Sequence, residues 1–246
     1  YDMAASTLVP EPFSFDCPDS ILTDSLAGFV EWRYEQPQEA LDLVLLPAFP
    51  AGEDEEEEPR FVLLGMEFLD PEPALIAHMI GANGASLRTY LECTLFEAQA
   101  AALRPDLVLF GIGVNDANCP NGRFDQDAFE ARYAAMIRIF RQANPGVVFL
   151  FITNNDTWYK KRQVNRNVFR VVESMDRLAV RHQAAVWDQF AVMGGLNSIV
   201  SWQRAGLAKS DRIHFTSSGY ILVGQLLSEA FRCAYMDHLL NTATQP

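Results

Sequence analysis

Residues 107–118 read LVLFGIGVNDAN. The first four are apolar without alternation, the pattern of a strand buried on both faces rather than of one with a wet side. Gly111 and Gly113 then free the backbone to turn, and Asn115 and Asp116 stand at the tip. An apolar strand running into a polar turn belongs in a parallel sheet, where working residues collect at the carboxyl ends of strands.

The flanking sequence agrees. Residues 86–103 carry Leu87, Leu91, Leu95, Ala98 and Ala102 at helical spacing, and 125–142 form a second helical stretch stopped by Asn144, Pro145 and Gly146. Residues 147–152 (VVFLFI) read as another buried strand, 164–182 as a helix, 184–187 as a short strand and 217–238 as the last helix, with Ser217 or Ser218 as N-cap. A short apolar run at 74–80 reads as a strand ahead of this alternation, with His78 as a core histidine. Strands alternating with helices predict an α/β domain with a parallel sheet covered by helices. Its strand tips carry Asn115, then Asn154, Asn155 and Asp156, then Asp188.

The start of the chain has a different texture. Residues 29–35 (FVEWRYE) alternate, with Val30, Trp32 and Tyr34 on one face and Glu31, Arg33 and Glu35 on the other. Residues 41–46 and 61–68 are further short apolar runs. Residues 1–72 therefore read as a β-rich segment of antiparallel strands, and 73–246 as the α/β domain.

Composition bounds the rest. A chain of 246 residues can form one large domain or a domain with a small module. Its 32 acidic residues exceed its 19 Lys and Arg, for a net charge of −13. Residues 53–58 are all acidic, which is either a solvated, self-repelling loop or an ion-capturing run. An acid excess without a basic patch argues against nucleic acid as a partner. No apolar run approaches the about 18–20 residues of a membrane span. Cys17, Cys93, Cys119 and Cys233 show no C-x-x-C spacing, which argues against a zinc or redox motif and leaves free thiols or an unassigned disulfide. Tyr1, in place of Met, reads as a processed or truncated start.

Three short elements can carry chemistry. Asp211 stands three residues before His214 in DRIHFTSSGY, residues 211–220. A general-base histidine needs a fixed tautomer, which a carboxylate on its second ring nitrogen supplies. The alternative is a turn-capping Asp with a packed His. Asn115 can donate its side-chain amide to a developing oxyanion, or it can be a turn former beside two glycines. Gly84, in GANGAS at 81–86, can leave its N–H facing a ligand at a helix start, or it can be one residue of a Gly-rich turn.

Taken in order, these elements resemble the SGNH, or GDSL-like, hydrolase superfamily, and more narrowly its bacterial carbohydrate-esterase and peptidoglycan O-acetylesterase-like members. The likeness rests on IGANGAS (80–86), RPDLVLFGIGVNDAN (104–118), VWDQFAVMGG (186–195) and SWQRAGLAKSDRIHFTSSGYILVGQLL (201–227), and covers residues 74 to 240. It implies a flavodoxin-like parallel sheet with helices on both faces. It implies Asp211 as the orienting acid, His214 as the general base, and Asn115 and Gly84 as oxyanion donors. It implies hydrolysis of esters on O-acylated, above all O-acetylated, carbohydrate such as peptidoglycan, without metal or cofactor, in the periplasm or outside the cell.

One element of the pattern is missing. The superfamily's nucleophile lies in a Gly-Asp-Ser block, and that string does not occur here. The nearest are Pro18-Asp19-Ser20 and Thr23-Asp24-Ser25-Leu26, of which Ser25 has the better neighbours; Ser86 is a third candidate. Some relatives insert an antiparallel β module between the nucleophile block and the Gly turn, and residues 1–72 fit the tail of one. Two partners or roles follow. Either a missing N-terminal piece or a partner chain carries the serine, or the chain is a non-catalytic binding or accessory subunit. Trp158 and Tyr159 would overhang the site in a loop and stack on a sugar ring or pack, while Lys160, Lys161 and Arg162 could meet an anionic glycan or solvent.

Overall fold

The computed structural model describes residues 20–24, 29–36 and 75–243. The chain divides into two units, Tyr1–Ile80 and Gly81–Pro246. In the first, β1 (Ser20–Asp24) pairs antiparallel with β2 (Phe29–Arg33), Ser20 opposite Arg33 and Asp24 opposite Phe29. The alternation at 29–35 is thus a real strand. The runs at 41–46 and 61–68 lie outside the described residues. Residues 75–80 take no regular structure, and Leu75, His78 and Met79 are exposed. This corrects the expected strand at 74–80 and the expected core histidine. Apolar composition gives a propensity, but a strand needs a neighbour for its backbone groups, and no described strand takes these residues into its ladder.

The second unit contains, in order, α1 (Leu87–Leu91), α2 (Phe96–Leu103), β3 (Leu107–Phe110), α3 (Val114–Ala117), α4 (Gln126–Ala143), β4 (Val148–Ile152), β5 (Trp158–Tyr159), β6 (Gln163–Val164), α5 (Asn167–His182), β7 (Ala185–Trp187), α6 (Gln189–Val192), α7 (Ser198–Arg204) and α8 (Ser217–Ala243). Strands β3, β4 and β7 form a parallel sheet with β4 in the middle, Phe110 beside Phe151 and Ile152 beside Trp187. The α/β class read from the alternation is the class of the fold.

Aromatic packing fixes this sheet. Phe110 stacks on Phe149 and on Phe151, each at a 5.6 Å centroid distance, and Tyr133 meets Phe110 and Phe151 edge-on at 5.3 Å. Tyr133 comes from α4, whose buried face runs Phe129, Tyr133, Met136, Ile137 and Phe140 at helical spacing. α5 adds Val171, Met175 and Leu178, all fully buried. Because side chains alternate along a strand, Leu107, Leu109 and Val148 point to the other side of the sheet, and there each is exposed, which corrects the expectation that residues 107–110 are buried on both faces.

Two expected helices differ in detail. The stretch at 86–103 is broken into α1 and α2. Leu87 and Phe96 are both buried and lie nine residues apart, about two and a half turns. In one straight helix they would face opposite ways; the break at Glu92–Leu95 lets both reach the core. The helix expected from 164 begins at Asn167, because the β5–β6 hairpin occupies the preceding residues.

Candidate functional site

The site is built on turns at the carboxyl ends of the strands. After β3, Gly113 adopts φ +138° and admits α3, which carries Asn115 and Asp116. Asn115 Nδ2 donates to the carbonyl of Ala85 at 2.8 Å, and Asp116 Oδ2 accepts from the N–H of Leu87 at 3.2 Å. Two consecutive side chains therefore grip the 81–86 turn from below. Gly84 in that turn has φ +75° and is exposed, with open space where a side chain would stand. Burial pushes the Asp116 carboxyl above its ordinary pKa, against the Leu87 N–H and the Arg132 guanidinium, 3.9 Å away, which hold it down.

Ser86 has a structural task. Its Oγ accepts from the N–H of Thr89, and Thr89 Oγ1 accepts from the N–H of Ser86, a reciprocal capping box on α1.

The second half of the site lies on the turn before α8. His214 Nδ1 is 2.9 Å from Asp211 Oδ2. Asp211 Oδ1 accepts from the N–H groups of Ile213 and His214, at 2.9 and 3.0 Å. Both carboxylate oxygens are thus engaged by the turn itself. Burial raises the Asp211 carboxyl, but the hydrogen bonds from His214 backbone and ring and from Ile213 outweigh it, and its pKa lies below the ordinary value. Ionised Asp211 makes the Nδ1–H tautomer of His214 the complementary one, which leaves Nε2 as the acceptor.

The turn also holds Arg212 at φ +56°, in the left-handed region. Its guanidinium lies over Trp158, 3.9 Å from the ring centroid, and its Nε donates to Gln203 Oε1 at 3.1 Å. Trp158 Nε1 donates to Asn197 Oδ1 at 3.2 Å. Arg212 therefore covers one face of Trp158, and the indole packs against the cluster of Met193, Ile199, Ala208 and Phe215. Trp158 and Tyr159 form a hairpin strand where the sequence suggested an overhanging loop.

Both halves meet the tip of β4. Thr153 to Thr157 are five consecutive buried polar residues. Thr153 Oγ1 donates to Asp188 Oδ1 and accepts from the N–H of Phe190. Asn154 Oδ1 sits where Gly113 has no side chain, 2.9 Å from a Cβ built there. Asn155 Nδ2 donates to the carbonyl of Ile213 at 2.9 Å. Asp156 Oδ2 accepts from the N–H of Ile199 at 3.0 Å, and burial raises its pKa against the N–H groups of Ile199, Asn197 and Thr157. The sequence marked Asn154, Asn155, Asp156 and Asp188 as strand-tip residues without giving them tasks. Their signal was a polar run directly after an all-apolar strand.

Ser20 opens β1 in the first unit, and Ser25 lies outside the described residues. Cys93, Cys119 and Cys233 are free. Among the described residues no group of three His, Cys, Asp or Glu side chains could hold a metal ion, and no helix is long and apolar enough to cross a membrane.

A solved peptidoglycan O-acetylesterase superposes with a TM-score of 0.58 at 23% identity, over 63% of this chain and 45% of that one, so the chain spans less than half of that protein's length. An acetyl xylan esterase gives 0.47 at 21% identity, covering 61% of this chain and 78% of that one. A lipase/acylhydrolase from Enterococcus faecalis gives 0.45 at 20%, covering 61% and 72%. No curated protein sequence matches significantly. The model of the GDSL-like lipase/acylhydrolase family matches residues 67–222. That span is more than half of the chain and contains the Gly turn, Asn115, Asp211 and His214, so the chain belongs to the GDSL-like lipase/acylhydrolase family.

Proposed function

We propose that this chain supplies the acid–base pair and the oxyanion donors of a serine ester hydrolase acting on O-acetylated carbohydrate, such as peptidoglycan or another polysaccharide. The observation that carries the reading is the 2.9 Å contact between His214 Nδ1 and Asp211 Oδ2. It engages Nδ1 and leaves Nε2 as the nitrogen to take a proton, and the His214 side chain is half exposed. The substrate class follows the named activity of the O-acetylesterase that shares the fold. Such glycans lie outside the cytoplasm, which supports a periplasmic or extracellular place for the chain. We put the junction between the β-rich segment and the hydrolase-like domain at residues 72 and 73.

In this mechanism a serine Oγ attacks the acetyl carbonyl carbon while His214 Nε2 takes the Oγ proton. The carbonyl π electrons move to oxygen, and the oxyanion is met by the second N–H of Asn115 Nδ2 and by the N–H of Gly84. Collapse expels the sugar hydroxyl oxygen, which takes the proton back from His214. Water then repeats the sequence on the acyl-serine and releases acetate. Asp211 orients His214 throughout and stabilises the imidazolium. Within this chain Ser25 is the serine we propose for this role, on its sequence neighbours Asp24 and Leu26.

A second reading has its own support in the missing Gly-Asp-Ser string. In it, the serine comes from another segment or a partner chain, or the chain is an accessory binding subunit. The test is p-nitrophenyl acetate hydrolysis by the full chain beside His214→Ala and Ser25→Ala. Loss of turnover in both variants is the expected result. Loss in His214→Ala alone moves the nucleophile to Ser20 or Ser86. No turnover by the parent chain overturns the self-sufficient hydrolase and leaves the second reading.

A further inference from the structure

The turn that presents His214 is satisfied from several directions. The N–H of Arg212 donates to the Lys209 carbonyl at 3.1 Å, and the N–H of Lys209 donates to the His214 carbonyl at 2.8 Å. The N–H groups of Ile213 and His214 go to Asp211 Oδ1. These bonds all close within the turn. They give it a shape but do not place it.

Two carbonyls of the turn are bonded outward, both to the segment 155–158 that follows β4. The Arg212 carbonyl accepts from the backbone N–H of Trp158 at 2.9 Å. The Ile213 carbonyl accepts from Asn155 Nδ2 at 2.9 Å. Asn155 is 9% exposed, and the same Nδ2 also reaches the Asp156 carbonyl at 3.2 Å. Of these two outward bonds, the one from Asn155 comes from a side chain and the one from Trp158 from the backbone.

Strain gives this seating a purpose. A non-glycine residue at positive φ is strained and persists only where its surroundings hold it. Arg212 is such a residue, flanked on one side by Asp211 and on the other by Ile213. If the Ile213 carbonyl is released, the strained turn can relax, and relaxation rotates Asp211 and His214 relative to one another.

We infer that Asn155 is the positioning residue of the acid–base pair: its amide, fixed at the end of β4, seats the Ile213 carbonyl and so sets the hydrogen bond between Asp211 and His214. The assignment rests on the proposed hydrolase reading for its catalytic meaning, but its geometry can be tested without turnover. Asn155 touches no reacting atom and is not a catalytic residue. Asn154, its neighbour, faces Gly113 on the oxyanion side. One strand tip thereby references both halves of the site to the same backbone.

The experiment is ¹H–¹⁵N spectroscopy of the full-length labelled chain, following the imidazole Nδ1–H of His214, assigned by its loss in His214→Ala. The parent should show this proton as a slowly exchanging, hydrogen-bonded line, and Asp211→Asn should remove or displace it. Asn155→Ala and Asn155→Asp should each lose the line while keeping a cooperative thermal transition. Asn155→Asp is the discriminating variant, because it keeps side-chain volume and replaces the donor by an acceptor. An unchanged line in Asn155→Asp means that Asn155 only fills space, and the proposal fails. Should either variant not fold, the parent decides alone: a through-bond coupling from the Asn155 amide nitrogen to the Ile213 carbonyl carbon supports the assignment, and its absence overturns it. An inactive parent in the acetate assay would overturn the self-sufficient hydrolase and leave this line readable, so the two failures are separate. In an active chain, Asn155→Asp should lower kcat with KM near the parent value.

Discussion

Asn115 and Ala85 are joined by a 2.8 Å hydrogen bond from side-chain amide to backbone carbonyl, and through it the two candidate oxyanion donors become one object. Gly84 precedes Ala85 directly, so its N–H is placed by the same amide group that supplies the second donor. Neither donor can shift without the other.

Asn115→Ala should therefore remove one donor and loosen the other. Loss of a single oxyanion donor costs about 10²–10³ in kcat, and here the loss should reach the upper end of that range. Steady-state aryl acetate hydrolysis measures it. A fall of less than tenfold with unchanged KM would end the donor assignment.

Gly113 and Gly84 both have positive φ but different surroundings. A Cβ at Gly113 would lie 2.9 Å from Asn154 Oδ1 and 3.2 Å from Phe129, while one at Gly84 meets nothing within 4 Å. Gly113→Ala should cost about 2–3 kcal/mol, backbone strain and overpacking together. Gly84→Ala should cost only about 1–2 kcal/mol, the left-handed penalty alone. Urea denaturation of the two variants gives the order directly.

Acid should act on Asp211 and Asp156 with opposite signs. Asp211 titrates below its ordinary value in the fold, so its ionised form stabilises the fold above the unfolded value of about 3.9 and that contribution is lost as pH falls through the folded value. Asp156 titrates above its ordinary value, so its ionised form opposes folding at neutral pH and the opposition is relieved as pH falls through the raised value. Asp211→Asn should lower stability at neutral pH and flatten the acid limb. Asp156→Asn should be neutral or stabilising at neutral pH, since it removes a buried charge. Denaturant melts at a series of pH values separate the two.

Ser86→Ala removes the bond from the Thr89 N–H to Ser86 Oγ and leaves the backbone half of the capping box on α1. The chain should lose about 1 kcal/mol of stability and keep its turnover. Abolished turnover with an unchanged melting curve would instead make Ser86 the nucleophile.

The legible part of this protein was its short-range part. Leu107 to Phe110 and Val148 to Ile152 announced themselves as strands because their apolar runs are uninterrupted, although Leu107 and Leu109 leave one face of β3 exposed; Asp211 and His214 are three residues apart, so their turn closes locally. The break between α1 and α2 was hidden, because the leucine spacing continues through it and only the burial of Phe96 requires a change of face. His78 and its apolar neighbours gave the signal of a strand, which depends on a ladder partner that sequence does not name. The ties from Thr153, Asn155 and Asp156 join residues 35, 58 and 43 positions apart, and no local pattern encodes such a distance.

Those same separations set an order of events. The tip of β4 is synthesised before its partner, and the carbonyl that Asn155 must grip arrives 58 residues later. Until then a row of polar groups destined for the interior stays hydrated, and the sheet beneath it can already be packed by α4 and α5. Long-range closures of this kind form late and, held by few bonds, open early. Amide exchange should accordingly find the turn at 211–214 opening without the sheet, so that the first loss on mild destabilisation is the alignment of Asp211 with His214 and the last is the fold that carries them.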